Sequence, residues 1–450
     1  MKLTMIGCGI RTPLAIPPIL RRAQQMGLQE LCLMDIDAEK LHNFGMLARH
    51  VARSQGSALT ITLTTDAHAA LDGARFVITT IRVGGDQGRV LDERIALRHG
   101  VLGQETTGAG GFAMALRSIP AILHYAELLE EVSPGAWLLN FTNPAGLVTQ
   151  ALRDRGFART VGICDSANGA QSAVANWLRV DARRLRAEVF GLNHLSWARA
   201  VMLDGEDVLA PLLRNPDFQR GTMLRLFDPK LIESLGMWLN EYLFYWYCSR
   251  QALEAVQSEA LSRGEAIQAW NRELLARLRS VDIERDPQAA LDHYHAYIER
   301  RAATYMTYGE GGERKDNAPL AADEEEGYMG VALDTILSLS NGQPLHTALN
   351  VPNRGAIACM QPDDVVEVSC LVDGDGVHPL PIGAVPEHQE LLMRIVKLYE
   401  KLTVQAILTR SRATAAEALM VHPLVFSYPL ARTLVDEYLQ AHADYVGTWH

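Results

Sequence analysis

Short apolar runs separated by amphipathic segments dominate the first 165 residues. KLTMIGCG (2–9) is an apolar run closing on glycines, and LQELCLMDID (28–37) is a second that closes on acids. LTITLTTD, ARFVITTIRVGG, GAWLLNFTNP and TVGIC continue the series. Runs of this length bounded by turn residues predict buried strands. Between them, Thr12 to Met26, Ala38 to Ser54 and Gly111 to Val132 carry the helical period. Strands alternating with helices need crossover connections, so the pattern predicts an α/β fold with a doubly wound parallel sheet of the Rossmann type.

From about residue 168 the pattern changes. Helical segments (Ala170 to Leu178, Leu253 to Val281, Pro287 to Ala303) mix with strand patterns in RAEVFGLNHLSWARAVML and DDVVEVSCLVDGDGVHPLP, and the tail from Glu387 to about Tyr445 reads as helix throughout. This predicts two domains, 1–167 and a mostly helical α+β domain over 168–450. The stretch from Tyr308 to Glu326, with GEGGERKD and a run of acids, reads as a surface loop and a candidate flap.

Composition narrows the function classes. The 450 residues carry 42 Lys and Arg against 53 Asp and Glu, a net charge of −11, which disfavours nonspecific binding to nucleic acid or an anionic membrane. No apolar run approaches the roughly 20 residues that span a bilayer. Six cysteines without a CxxC pair suit a reducing compartment, so the expected location is the cytoplasm.

The candidate chemistry sits at predicted strand ends. In IGCGIRTP, Gly7 and Gly9 close the first strand, and Ile10 and Arg11 lead into a helix whose positive end suits a pyrophosphate. Asp35 ends the second strand, where an acid accepts hydrogen bonds from the adenine ribose and favours NAD over its 2′-phosphorylated form. The third glycine of the usual fingerprint is missing, so a plain tight turn is the alternative. GQETTGAGGFAMALR (103–117) sets Glu105 among glycines and threonines directly before a helix, and NFTNP places Asn143 beyond a strand end; a flexible connection and a helix start are the plainer readings. Cys164, followed by Asp165, and His194, preceded by Asn193, offer a thiolate and an imidazole that suit a borderline divalent cation, although spacing alone favours a buried structural cysteine and a satisfied core histidine.

Taken in order, IGCGIRTP, LMDID, RVGG (82–85), GQETTGAGGFAMALRSIP, LLNFTNPAG, VGICDS and GLNHLSW resemble glycoside hydrolase family 4, with EYLFYWY (241–247) and VDGDGVHPL extending the likeness over most of the chain. The resemblance implies an NAD- and Mn²⁺-dependent (or other divalent-metal-dependent) glycosidase whose first domain binds NAD and whose second supplies subunit contacts, as a homodimer or homotetramer. It implies a small glucoside or galactoside as substrate, often 6-phosphorylated. It also implies hydride loss from C3, deprotonation at C2, elimination of the aglycone, addition of water to the unsaturated intermediate and return of the hydride to C3, an exception to the usual pair of carboxylates. Residue by residue, it implies Cys164 and His194 as metal ligands, Tyr242 as C2 base, and Arg82, Glu105, Asn143 and Asn193 around the substrate.

Two positions depart from the family pattern. Asp165 follows the metal cysteine where asparagine is typical of 6-phospho-β-glucosidases, which leans toward α-linkage and makes Asp165 a candidate acid for the leaving group or, equally, a residue that only orients the site. Phe244 replaces an arginine, which weakens the case for a phosphorylated substrate; Arg89, Arg94 and Arg98 remain as anion contacts or as solvated charges on an exposed helix. Two other classes stay open: a simple NAD-dependent 2-hydroxy-acid dehydrogenase, and a catalytically silent sugar or NAD sensor.

Overall fold

The computed structural model of the protein describes residues 1–303 and 322–450, with side chains resuming at Met329. Six strands, β1 (Lys2–Ile6), β2 (Glu30–Met34), β3 (Thr60–Thr64), β4 (Ala74–Thr79), β5 (Trp137–Asn140) and β6 (Thr160–Gly162), pair in parallel in the spatial order 3-2-1-4-5-6. This is the doubly wound order expected from the alternating pattern. Leu3, Leu31, Leu33, Val77, Ile78 and Leu139 are fully buried between helices on the two faces, at roughly 1.5–3 kcal/mol for each large apolar side chain removed from water. The helices are bounded by local chemistry: Asp37 accepts from the backbone N–H groups of Glu39 and Lys40 to start Ala38–Ser54, and Gly27, in the left-handed region, closes Thr12–Met26.

The second half contributes to the same sheet. After the hairpin β7 (Leu185–Leu192) and β8 (Leu195–Leu203), which with β9 (Glu206–Asp207) and β10 (Trp238–Leu239) makes a separate small sheet, the chain returns as β11 (Leu345–Pro352), β12 (Val365–Asp373) and β13 (Gly376–Pro379). Strand β11 pairs antiparallel with β6, Asn350 facing Gly162, so among the described residues the main sheet has nine strands and crosses residue 168. Gly162 permits the join: a Cβ there would lie 2.8 Å from that of Asn350 and 2.4 Å from Thr149 Oγ1.

Several expectations change in detail. Leu253 to Val281 is two helices, Ser249–Ser258 and Arg263–Arg279, because Ser262 and Glu265 form a reciprocal capping box that starts the second. The tail is broken into Glu387–Thr409, Arg412–Val421, Tyr428–Ala441 and Ala443–Val446; Arg410 in the left-handed region and the Ser411 cap make the first break. On the helix Gly85–Arg98 the expectation of solvated charges fails for Arg89, which is buried against Glu93 and Glu105; Arg94 is half-buried and pairs with Glu265, and Arg98 is exposed to solvent beside Glu437. The flap expected at 308–326 lies largely outside the described residues.

Candidate active site

The candidate residues gather at the carboxyl ends of the parallel strands, where open α/β sheets bind ligands. After β1 the chain turns at Gly7, whose φ of +105° and whose approach to Thr80 leave no room for a side chain: a Cβ would sit 2.8 Å from the Thr80 carbonyl carbon. At Gly9 a Cβ would meet nothing within 4 Å, so the missing side chain leaves open space over the turn. Tyr294 donates to the Ile10 carbonyl at 2.7 Å and anchors the turn. The helix that follows has no side-chain cap and no acid in its first turn, leaving its positive end uncompensated. Asp35 stands half-buried at the end of β2, its carboxylate accepting from Asp37 N–H while burial raises its pKa. An open glycine, a bare helix start and this acid fit a dinucleotide.

Beyond β6, Cys164 is buried and Asp165 half-buried, with Glu241 and Glu367 close enough for their charges to act on the thiol. Burial first, and these carboxylates second, push the Cys164 thiol well above its ordinary value. Burial pushes Asp165 up to about 7, the charge of Glu241 adding to it and that of Arg11 opposing it; its Oδ1 is buried without a hydrogen-bond partner. Arg11 thus brings the nucleotide turn to the Cys164–Asp165 rim. Ser166 donates to Glu241. Glu367, on β12, accepts from Ser196 at 2.7 Å, Asn350 at 3.0 Å and Asn193 at 3.2 Å, and burial raises it to about 7.

His194 occupies the tight turn between β7 and β8 with φ of +61°. Its ring lies flat on that of Tyr242, centroids 3.5 Å apart and planes 3° from parallel, and its Nδ1 is 2.5 Å from the Thr106 hydroxyl. Burial lowers its pKa to about 3, against the pull of Glu105, so the ring is neutral. Glu105 itself is gripped by Arg82 and Arg89; burial alone would raise its pKa, but these two charges outweigh it and hold the carboxyl well below the usual range. Arg82 keeps a buried Nη1 without a hydrogen-bond partner.

The structure therefore brings Arg11, Cys164 and Asp165 together on one side, and His194, Tyr242, Glu105 and Arg82 on the other. Glu367 links them, acting on Cys164 and holding Asn193. Asn143 is half-buried before the cis bond to Pro144. Both ends of the Asn193 amide are taken by protein: Nδ2 donates to Glu367 and Oδ1 accepts from Gly146 N–H. Phe244 is buried against Phe227 and Tyr245. Sequence reasoning missed Glu241, Glu367 and the hydroxyl of Thr106; a lone acid in the apolar run VVEVSC was the available signal for Glu367.

A cluster of buried carboxylates around a thiol, countered by one arginine and including an orphaned carboxylate oxygen, suits a cation, and a sulfur with an imidazole suits a borderline divalent metal. Among the described residues no three His, Cys, Asp or Glu side chains form a ligand set. A metal held by Cys164 and His194 would complete its shell with substrate oxygens or water.

Two family models cover this chain. Residues 2–180 match family 4 glycosyl hydrolase and residues 189–425 match the family 4 glycosyl hydrolase C-terminal domain. A probable 6-phospho-β-glucosidase of Bacillus subtilis is 33% identical over 99% of this chain and 97% of its own length. The 6-phospho-β-glucosidase of Thermotoga maritima, solved with NAD and glucose-6-phosphate, superposes with a TM-score of 0.84 at 26% identity over 99% of both chains. A 6-phospho-α-glucosidase from gut microorganisms, solved with NAD and Mn²⁺, superposes with a TM-score of 0.81 at 25% identity over 100% of this chain and 99% of its own. With both halves matched and a relative this similar along its whole length, the chain belongs to the family 4 glycosyl hydrolases.

Proposed function

We propose that the chain hydrolyses a small glucoside or galactoside, 6-phosphorylated in keeping with the names of its relatives, by transient oxidation at C3, deprotonation at C2, elimination of the aglycone from C1, addition of water across the double bond so formed and return of the hydride to C3. The observation that carries this reading is the face-to-face contact of Tyr242 with His194, whose neighbour Asn193 is held by Glu367, a carboxylate that also acts on Cys164. When bound, NAD⁺ at Gly7, Gly9, Ile10, Arg11 and Asp35 supplies a hydride acceptor, and a divalent cation such as Mn²⁺ at Cys164 and His194 supplies an electrophile for the C3 oxygen. Tyr242 takes the C2 proton. Asp165, held partly protonated near neutrality by burial, donates to the departing oxygen. Its orphaned Oδ1 and the orphaned Arg82 Nη1 are two buried polar atoms that a bound sugar would satisfy. Glu105 orients Arg82, and Asn143 and Asn193 line the sugar side.

Asp165 directly after Cys164 supports α-linkage. With Phe244 buried, the Nη1 of Arg82 is a guanidinium donor open to a phosphate or a ring hydroxyl.

The protein acts in the cytoplasm as a homodimer or homotetramer on this reading. All six cysteines are free, and among the described residues no helix is long and apolar enough to cross a membrane. The helix Glu387–Thr409 exposes Leu391, Ile395 and Leu398 along one side, a stripe that a second copy would cover.

The test is a panel of nitrophenyl α- and β-glycosides, free and 6-phosphorylated, assayed with NAD⁺ and Mn²⁺ under reducing conditions. Turnover of a 6-phospho-α-glycoside that requires both additions is expected. A chain that binds NAD⁺ yet turns over none of the panel is a sensor, and net reduction of NAD⁺ by a hydroxy acid makes it a dehydrogenase.

A further inference from the structure

The glycine-rich loop contains a hydrogen-bond relay that ends on His194. Gln104 Oε1 lies 2.6 Å from Thr106 N, 2.7 Å from Thr107 N and 3.0 Å from Thr106 Oγ1. Two backbone N–H groups pointing at this atom identify it as the amide oxygen, since an amide nitrogen there would face them with its own hydrogens. An amide oxygen only accepts, so the Thr106 hydroxyl spends its single hydrogen on Gln104. The same hydroxyl oxygen is 2.5 Å from His194 Nδ1 and has only lone pairs left to offer. The hydrogen between them therefore belongs to Nδ1.

We infer that Thr106, oriented by Gln104, is a positioning residue that holds His194 as its Nδ1–H tautomer and leaves Nε2 as a bare lone pair for a divalent cation. The inference rests on the proposed metal role of His194 for its consequence, but not for the tautomer itself. Metal-ligating imidazoles depend on such an outer partner to fix the ring and its proton.

The surroundings make the relay rigid. Gly103 and Gly108 close the loop with a backbone bridge. The helix Ala109–Val132 packs directly beneath it, so that a Cβ on Gly110 would lie 2.1 Å from the Gln104 carbonyl oxygen and one on Gly111 would lie 2.4 Å from that of Thr106. These two glycines let the helix press against the carbonyls of the very residues that form the relay. On the other side, Tyr242 covers the His194 ring and Trp246 Nε1 donates to the His194 carbonyl at 3.1 Å, so the imidazole can neither flip nor swing away without breaking contacts.

The experiment compares the parent, Thr106→Val, Thr106→Ser and His194→Ala as full chains with NAD⁺ bound. ¹⁵N-resolved NMR of the histidine rings without metal reads the tautomer, and titration with Mn²⁺ alone reads affinity. In the parent, His194 is expected as Nδ1–H. Thr106→Val, which keeps the shape and removes the hydroxyl, should shift the ring toward Nε2–H and weaken Mn²⁺ binding about 10- to 100-fold, with the NAD⁺ dissociation constant unchanged. Thr106→Ser should restore both readings, which a merely space-filling role for Thr106 would not require. An Nε2–H ring in the parent, or Thr106→Val with parental tautomer and Mn²⁺ affinity, overturns the inference. If His194→Ala leaves Mn²⁺ affinity intact, the metal assignment falls instead, and the tautomer reading still decides the relay.

Discussion

Alanine at Gly7 and at Gly9, two residues apart on one turn, should have opposite effects. At Gly7 the backbone has φ of +105° and a Cβ would lie 2.8–2.9 Å from the carbonyl and hydroxyl of Thr80. A non-glycine residue held in such a region costs about 1–3 kcal/mol, and forcing a methyl against backbone about 1–3 more. Gly7→Ala should therefore lose about 2–6 kcal/mol of stability, a large share of the roughly 5–15 kcal/mol of a typical native protein. At Gly9 the φ is not positive and a Cβ meets nothing, so alanine restricts the unfolded chain without strain and should stabilise the ligand-free protein by about 0.4–1 kcal/mol. The same methyl occupies the space a pyrophosphate needs. Holding the phosphate off by a methyl radius loses one charge-assisted hydrogen bond, about 1.5–3 kcal/mol, or roughly 10- to 150-fold in affinity. Urea unfolding without ligand and calorimetric titration with NAD⁺ separate the two effects. A Gly9→Ala protein that binds NAD⁺ as tightly as the parent, or a Gly7→Ala protein of parental stability, refutes the assignment of this turn.

Other perturbations follow from single contacts. His422 is buried beside Tyr399 and Trp246, and burial lowers its pKa from 6.5 to about 3, so below pH 6.5 the unfolded chain takes up a proton that the folded protein does not. Stability is lost as pH falls through that window, about 2 kcal/mol by pH 5, and urea unfolding of His422→Phe should show a difference between pH 7 and pH 5 smaller by that amount. Arg117 is buried with a two-pronged grip on Asp92 at 2.7 and 2.8 Å and a bond to the Val83 carbonyl, and buried His442 meets Asp92 at 2.7 Å, so Arg117→Met should cost about 3–5 kcal/mol, largely recovered in Arg117→Met/Asp92→Leu/His442→Phe, which leaves none of the three unpaired; no recovery there would show that the cluster is not the source. Asp165→Asn should lower kcat about 10²- to 10⁴-fold for alkyl glycosides and far less for nitrophenyl glycosides, whose leaving groups need no acid; an equal loss on both denies it the acid role.

Much of the parallel half was legible because its information is local. Apolar runs closing on Gly7, Asp35, Asn140 and Cys164 carry their own turn signals, and helices between them dictate the crossovers. The union of β11 with β6 was not legible: Asn350 meets Gly162 across nearly two hundred residues, and nothing near either announces the other. The candidate site divides the same way. Residues inside motifs, such as His194 and Tyr242, were nameable, but their stacking depends on a hairpin turn and a short helical segment meeting in space. Arg89 was misjudged because a charged helix face reads as solvated until Glu93 and Glu105 are found against it. Ser262 shows that even a local cap can pass unnoticed inside a strongly periodic segment.

Hydrolysis of a substrate deuterated at C2, run in ordinary water with NAD⁺ and Mn²⁺, tests the central claim most directly. Removal of the C2 proton by Tyr242 and later reprotonation from solvent predict that mass spectrometry finds hydrogen at C2 of the released sugar. Full retention of deuterium at C2 together with an unchanged rate relative to the unlabelled substrate would mean that the C2 bond is never broken, and would contradict the account.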